Sequence, residues 1–186
     1  MNKKLLFLPL MALCMVGCAA NSAGGNGGNG GNGGNSGDGG GQGGGGSASE
    51  LVLEFTAANR TTLTDAYAWE KDGFKVTNTK GDYDSDFTAS AQSDHARFYA
   101  ATGLSFECNK PIKKMVFKCW VWAGKDGADL LAAENWSVGT ASAGEQYESG
   151  SYTRNDCTWT YEAGATSVTI AKLAKQTRVE QVKVTF

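Results

Sequence analysis

Two tryptophans, three alternating aspartates, three cysteines and a single histidine are the side chains whose types and spacing suit chemistry. In Lys118-Cys119-Trp120-Val121-Trp122 the indoles stand two residues apart. On a strand this puts both on one face about 7 Å apart, opposite Met115, Phe117, Cys119 and Val121. Paired indoles suit stacking on successive apolar sugar faces or on another protein, with Lys118 beside them for polar edges. Burial beneath the stretch 126–136, or in a second core layer, is the competing expectation. Asp82, Asp84 and Asp86 offer three hard oxygen ligands at alternate positions, which a looped backbone can converge on calcium. The EF-hand pattern fails, because Phe87 stands where glycine is needed and Ser93 where the acidic twelfth residue belongs. A solvated acidic loop is the plain alternative, so calcium is the one candidate ion and no cofactor is required.

Enzymatic chemistry finds little support in the same residues. His95 is the sole histidine, and a serine or cysteine nucleophile needs a base beside it. Standing just before Arg97-Phe98-Tyr99, it reads as a surface or strand-edge residue. One histidine and no closely spaced cysteine ligands also leave a zinc site without its donors. Cys108, Cys119 and Cys157 share the apolar parity of their surroundings and read as buried thiols, with one disulfide plus an odd thiol as the alternative. Carboxylates are plentiful, but no pair is marked for glycoside hydrolysis. The expectation is a protein without catalytic residues.

These side chains need elements to hold them, and the pattern of apolar residues supplies short strands. Leu51, Leu53 and Phe55 recur at period two, as do Phe74 and Val76, Leu104, Phe106 and Cys108, and Met115, Phe117, Cys119 and Val121. Trp159 and Tyr161, Val168 and Ile170, and Val182, Val184 and Phe186 continue the pattern, while Val179 is out of phase and calls for a bulge near Glu180-Gln181. Turn signals separate the runs at Asp72-Gly73, Lys80-Gly81-Asp82, Thr102-Gly103, Asn109-Lys110-Pro111, Ser149-Gly150 and Ala163-Gly164. Only the stretch from Asp126 to Trp136 suggests one or two helical turns, through Leu130, Leu131 and Ala132. Residues 50–186 thus form one all-β domain of ordinary size, a β-sandwich or barrel.

The N-terminal part of the chain is different in kind. Lys3 and Lys4 precede an apolar run from Leu5 to Val16, too short to span a bilayer and right for an export signal. Its end, Met15-Val16-Gly17-Cys18, resembles a bacterial lipobox, in which the cysteine takes the lipid and becomes the mature N-terminus. Residues 1–17 are then a lipoprotein signal peptide and Cys18 the lipidation site; Met15 departs from the usual leucine, and an ordinary signal peptide is the alternative. Ala19 resembles the residue that permits transfer to an outer membrane. Residues 18–49 follow as a linker, and 16 of the 26 glycines fall within 24–46. With nothing apolar to bury and maximal backbone entropy to lose, this segment is expected to be a flexible tether spanning about 30 Å, with a structured glycine-rich repeat as the alternative.

Charge bounds the partners. The whole chain carries a formal −2, and setting aside Lys3, Lys4 and Asp38 leaves −3 on residues 50–186, with no basic cluster longer than Lys113-Lys114. Nucleic acid is excluded as a partner on that count.

The series Arg97-Phe98-Tyr99, Leu104-Ser105-Phe106, Ile112-Lys113-Lys114-Met115-Val116-Phe117, Trp159-Thr160-Tyr161, Val168-Thr169-Ile170 and the closing Arg178–Phe186 resembles the jelly-roll accessory domains of bacterial surface and secreted proteins. The resemblance covers about residues 95–186 and implies a galactose-binding-like sandwich, but it carries no binding residue with it. The reading is a bacterial cell-envelope lipoprotein, on the outer membrane or cell surface, presenting a non-catalytic module for carbohydrate. A structural or adhesion module contacting a cell-surface protein is the alternative. Replacing Cys18 with Ala is expected to release the protein from membranes, with membrane fractionation as the readout. An intact mass showing an unmodified mature N-terminus at another residue would contradict the assignment.

Overall fold

The computed structural model describes residues 49–84, 92–122 and 125–186, with the side chains of 125 and 126 set aside. The export signal, Cys18, most of the tether and Asp86 lie outside these residues. Strands β1 (Glu50–Glu54), β2 (Arg60–Leu63), β3 (Ala66–Lys71), β4 (Phe74–Thr79) and β5 (Ala96–Phe98) lead into the 20-residue β6 (Gly103–Trp122). A short β7 (Lys125–Asp126), helix α1 (Gly127–Ala132), β8 (Thr140–Ser149), the 19-residue β9 (Tyr152–Ile170) and β10 (Thr177–Thr185) complete the order. All strand pairings among them are antiparallel.

One sheet curls on itself to form a sandwich, because β6 and β9 run side by side through both of its layers. The first half of β6 pairs with β4 and with the last residues of β9, and β4 continues the layer through β3 to β2. The second half pairs with β10 and with the first half of β9, extended by β1 on one side and β8 on the other. The fold-over is visible inside a single strand. Phe106 and Phe117 of β6 meet with ring centroids 5.4 Å apart.

The bend explains two departures from the sequence pattern. Asn109-Lys110-Pro111 and Ala163-Gly164 were expected to separate strands, yet both lie within continuous ones. The β6–β9 register slips between Glu107 and Ile112 and again before Lys114. Such irregularities bend a strand sharply, and Pro111 leaves no ladder donor to satisfy there. Gly164 sits at φ +72°, where a Cβ would come 2.6 Å from the Pro111 Cβ. Other signals behave as expected. Asp72 and Gly73, at φ +50° and +78°, form the two-residue link between Lys71 and Phe74. The bulge falls between Val179 and Gln181.

The period-two pattern marked most of the core; Tyr67, Trp69, Phe98, Ile112, Leu131 and Leu173 are buried with it, while Val121, Tyr161 and Phe186 of that pattern are only half-buried. Phe55, Trp69 and Phe98 pack edge to face with centroids 5.4 to 5.9 Å apart. Leu53, Phe74, Val76, Met115, Phe117, Val168, Val182 and Val184 are buried around them. Buried indoles keep their hydrogen bonds: Trp69 Nε1–H donates to the Thr56 carbonyl at 3.0 Å and Trp159 Nε1–H to that of Val138 at 2.8 Å. Cys108, Cys119 and Cys157 are buried thiols. Burial pushes Cys157 up to about 12, aided by Asp156, which removes it as a nucleophile at neutral pH.

Gly164→Ala is expected to destabilise the domain by about 1–3 kcal/mol through strain and the clash with Pro111. Gly150→Ala is the control, since Gly150 has a similar φ of +65° and nothing within 4 Å. Urea unfolding that shows equal losses for both would contradict the role given to the bend.

Candidate functional site

Trp120 lies near the end of β6, opposite Arg154 of β9 and on the same face as Lys118. Across the other edge, Val179 stands opposite Cys119 and Val182 opposite Phe117, both facing the core, so Glu180 and Gln181 share the space beside Lys118. The extra residue turns the Glu180 carboxylate toward β6. Trp120 Nε1–H donates to Glu180 Oε1 at 2.5 Å, Lys118 Nζ pairs with Oε2 at 3.0 Å, and Arg154 Nη2 pairs with Oε1. Burial would raise the Glu180 carboxyl, but the hydrogen bonds of Arg154, Lys118 and Trp120 outweigh it and hold the group below its ordinary value.

The Trp120 ring is covered as well as anchored. Tyr152 stacks at 4.4 Å, the His95 ring lies at 4.3 Å, and the Arg154 guanidinium sits 4.6 Å from its centroid. Only 5% of the residue is exposed. Strand parity gave the right face, opposite Met115 and Phe117, but could not show what covers it. His95 is accordingly buried at 4% exposure rather than placed at the surface, because its ring closes over the indole. Its Nδ1 faces Asp94 Oδ1 at 2.8 Å, and burial lowers its affinity for a proton despite that carboxylate.

Two residues further on, Trp122 is 50% exposed. It forms one wall of a cleft of about 630 Å³ that is also lined by Trp120, Leu130 of α1 and the segment Lys175 to Arg178. Tight local packing sets this geometry. Gly127 starts α1 against β6, where a Cβ would lie 2.7 Å from the Trp120 carbonyl. The Ala128 N–H donates to Asn155 Oδ1 at 3.2 Å, and Thr177 Oγ1–H donates to the Gly127 carbonyl at 3.0 Å. The start of the helix is thereby tied to β9 and to the entry to β10.

Arg178 lies across the Trp122 ring, its Cζ 3.9 Å from the centroid. It is 8% exposed, and its Nε is buried with no partner among the described residues. Burial, then the charge of Arg97 on the neighbouring strand, lowers its proton affinity. A cation over an indole contributes about 0.5–2 kcal/mol. Withdrawing an ion from water costs several kcal/mol. The ring alone therefore does not offset the burial of this charge.

The residues singled out in the sequence thus separate. Trp122 faces the cleft, Trp120 is its inner wall, and Lys118 belongs to the Glu180 network outside it. Asp82 is exposed and pairs with Lys172 at 2.9 Å, whose hydrogen bond holds the carboxyl below its ordinary value. Asp84 is exposed, and Asp86 lies outside the described residues. Among the described residues no three His, Cys, Asp or Glu side chains come together as a metal-ligand group. The sequence reading missed Arg178 and Glu180. Their parity opposite Val179 carried a signal, but the bulge and the identity of the neighbouring strand did not. No protein-family model, curated protein or solved structure matches this chain.

Because Glu180 titrates lower in the folded chain than in the unfolded one, its stabilisation is complete above the ordinary glutamate value of about 4.3 and is lost as pH falls through the folded value. Glu180→Gln is expected to lower stability at pH 7 by about 2–3 kcal/mol and to flatten the loss of stability below about pH 4. Urea unfolding from pH 7 to pH 3 reads both. Identical acid limbs in the two proteins would contradict the network.

Proposed function

We propose that the protein is a cell-envelope lipoprotein, anchored through Cys18, that presents a non-catalytic carbohydrate-binding domain of the galactose-binding-like kind. One observation carries the binding reading: a half-exposed tryptophan walls a cleft whose other lining supplies Gln176, Thr177, Lys175 and Arg178. An indole face suits the apolar face of a pyranose, and amide and cationic groups suit its hydroxyl edges. A volume of about 630 Å³ falls within the range of small-ligand sites, about 300–1,000 Å³. Calcium at Asp82, Asp84 and Asp86 would be accessory, since neither Asp82 nor Asp84 lines the cleft. The exposed Tyr147 and Tyr152, near the β8–β9 turn, favour the second reading, an adhesion module that contacts a cell-surface protein.

The two tryptophans separate binding from stability. Trp122→Ala is expected to cost no more than about 0.5–2 kcal/mol of stability, the contact with Arg178, and to abolish retention on a glycan panel. Trp120→Ala removes a buried ring and is expected to lose about 3–5 kcal/mol. Unchanged glycan retention by a stable Trp122→Ala variant, or no retention of the wild type by any glycan, would overturn the carbohydrate reading.

A further inference from the structure

The two buried arginines of this end of the domain are treated differently. Arg154 has the Glu180 carboxylate at Nη2, although its Nε and Nη1 have no partner among the described residues. Arg178 is as deeply buried, but no ion pair reaches it among the described residues. Directly across the ladder from it, on β5, stands Arg97, also outside those ion pairs and also with a buried Nε that has no partner. Like charges facing each other across a strand pair repel. The described side chains of the cleft add Lys175 and include no aspartate or glutamate, in a chain whose formal charge is −2. Positive charge is gathered here and partly desolvated, and among the described residues no carboxylate pairs with Arg178 or Arg97.

We propose that Arg178, backed by Arg97, is the seat of a carboxylate, and that the ligand of the cleft is a uronate-bearing saccharide. The proposal rests on the carbohydrate reading above and names its substrate class. A guanidinium presents paired N–H donors that match the two oxygens of a carboxylate, and the bond is strengthened where water is excluded. The sugar ring lies on Trp122, beside the guanidinium, with Lys175 at the rim. A neutral saccharide would leave both arginines uncompensated, and an anion relieves their mutual repulsion.

The test uses the full chain in affinity electrophoresis and calorimetry against polygalacturonate, alginate and hyaluronan, each beside its methyl-esterified form, with dextran sulfate as a polyanion control. At least one uronate polymer is expected to retard the wild type, while its methyl ester and dextran sulfate do not. Arg178→Gln is expected to weaken binding about tenfold to a hundredfold, the scale of a hydrogen bond to a charged group. Because Arg178 is buried, Lys175→Ala is the second variant: Lys175 is exposed, so the melting temperature should hold while uronate binding falls several-fold. Equal retention by a polymer and its ester, retention by neutral glycans alone, or equal retention by dextran sulfate would overturn the carboxylate site and leave carbohydrate binding standing. Failure to bind any polymer, charged or neutral, would overturn both.

Discussion

The architecture depends on one shared bend. β6 and β9 are each long enough to cross both layers, and they fold over together where their register slips and Gly164 meets Pro111. Without that corner the two halves of β6 could not bring Phe106 against Phe117, and the apolar faces of the layers would have nothing to close on. The same bend carries the far end of β6 past the core. There the strand presents Trp120 and Trp122 beside α1 and the entry to β10, so one distortion both closes the core and delivers the cleft.

Beyond the corner, the β10 bulge decides how charge is handled. By inserting Glu180 beside Lys118, it places a carboxylate where Arg154 and the Trp120 indole can both use it. At that end of the sheet the carboxylate is fully engaged, and Trp120 is structural, covered by His95, Tyr152 and Arg154. Two residues earlier on β10, Arg178 has no ion-pair partner among the described residues and rests on the half-exposed Trp122 indole. Two arginines of similar burial thus differ: among the described residues Arg154 has a carboxylate partner and Arg178 has none.

Much of the core could be read from the sequence because burial here follows strict alternation, as at Leu51 and Leu53, Phe74 and Val76, or Val182 and Val184. β3 escaped notice because Ala66 to Trp69 are buried in succession, without a period. β8 escaped because only small Ala141 and Ala143 turn inward, against exposed neighbours. Pro111 and Gly164 carried a true signal of irregular backbone, but whether such a residue ends a strand or bends it depends on the partner across the ladder. The candidate site was half legible for the same reason. Parity put Trp120 and Trp122 on one face, and only the tertiary placement of His95, Tyr152 and Arg154 made one a wall and left the other open.

The claim that one indole faces a ligand is most directly tested by the five tryptophan Nε1–H resonances, followed by nitrogen-edited NMR as a uronate oligosaccharide is added. The account predicts that the Trp122 signal shifts in a saturable manner, that Trp120 responds weakly as the inner wall, and that Trp69, Trp136 and Trp159 stay still. Saturable shifts centred on any other tryptophan, or a still Trp122 signal while the saccharide binds, would contradict it.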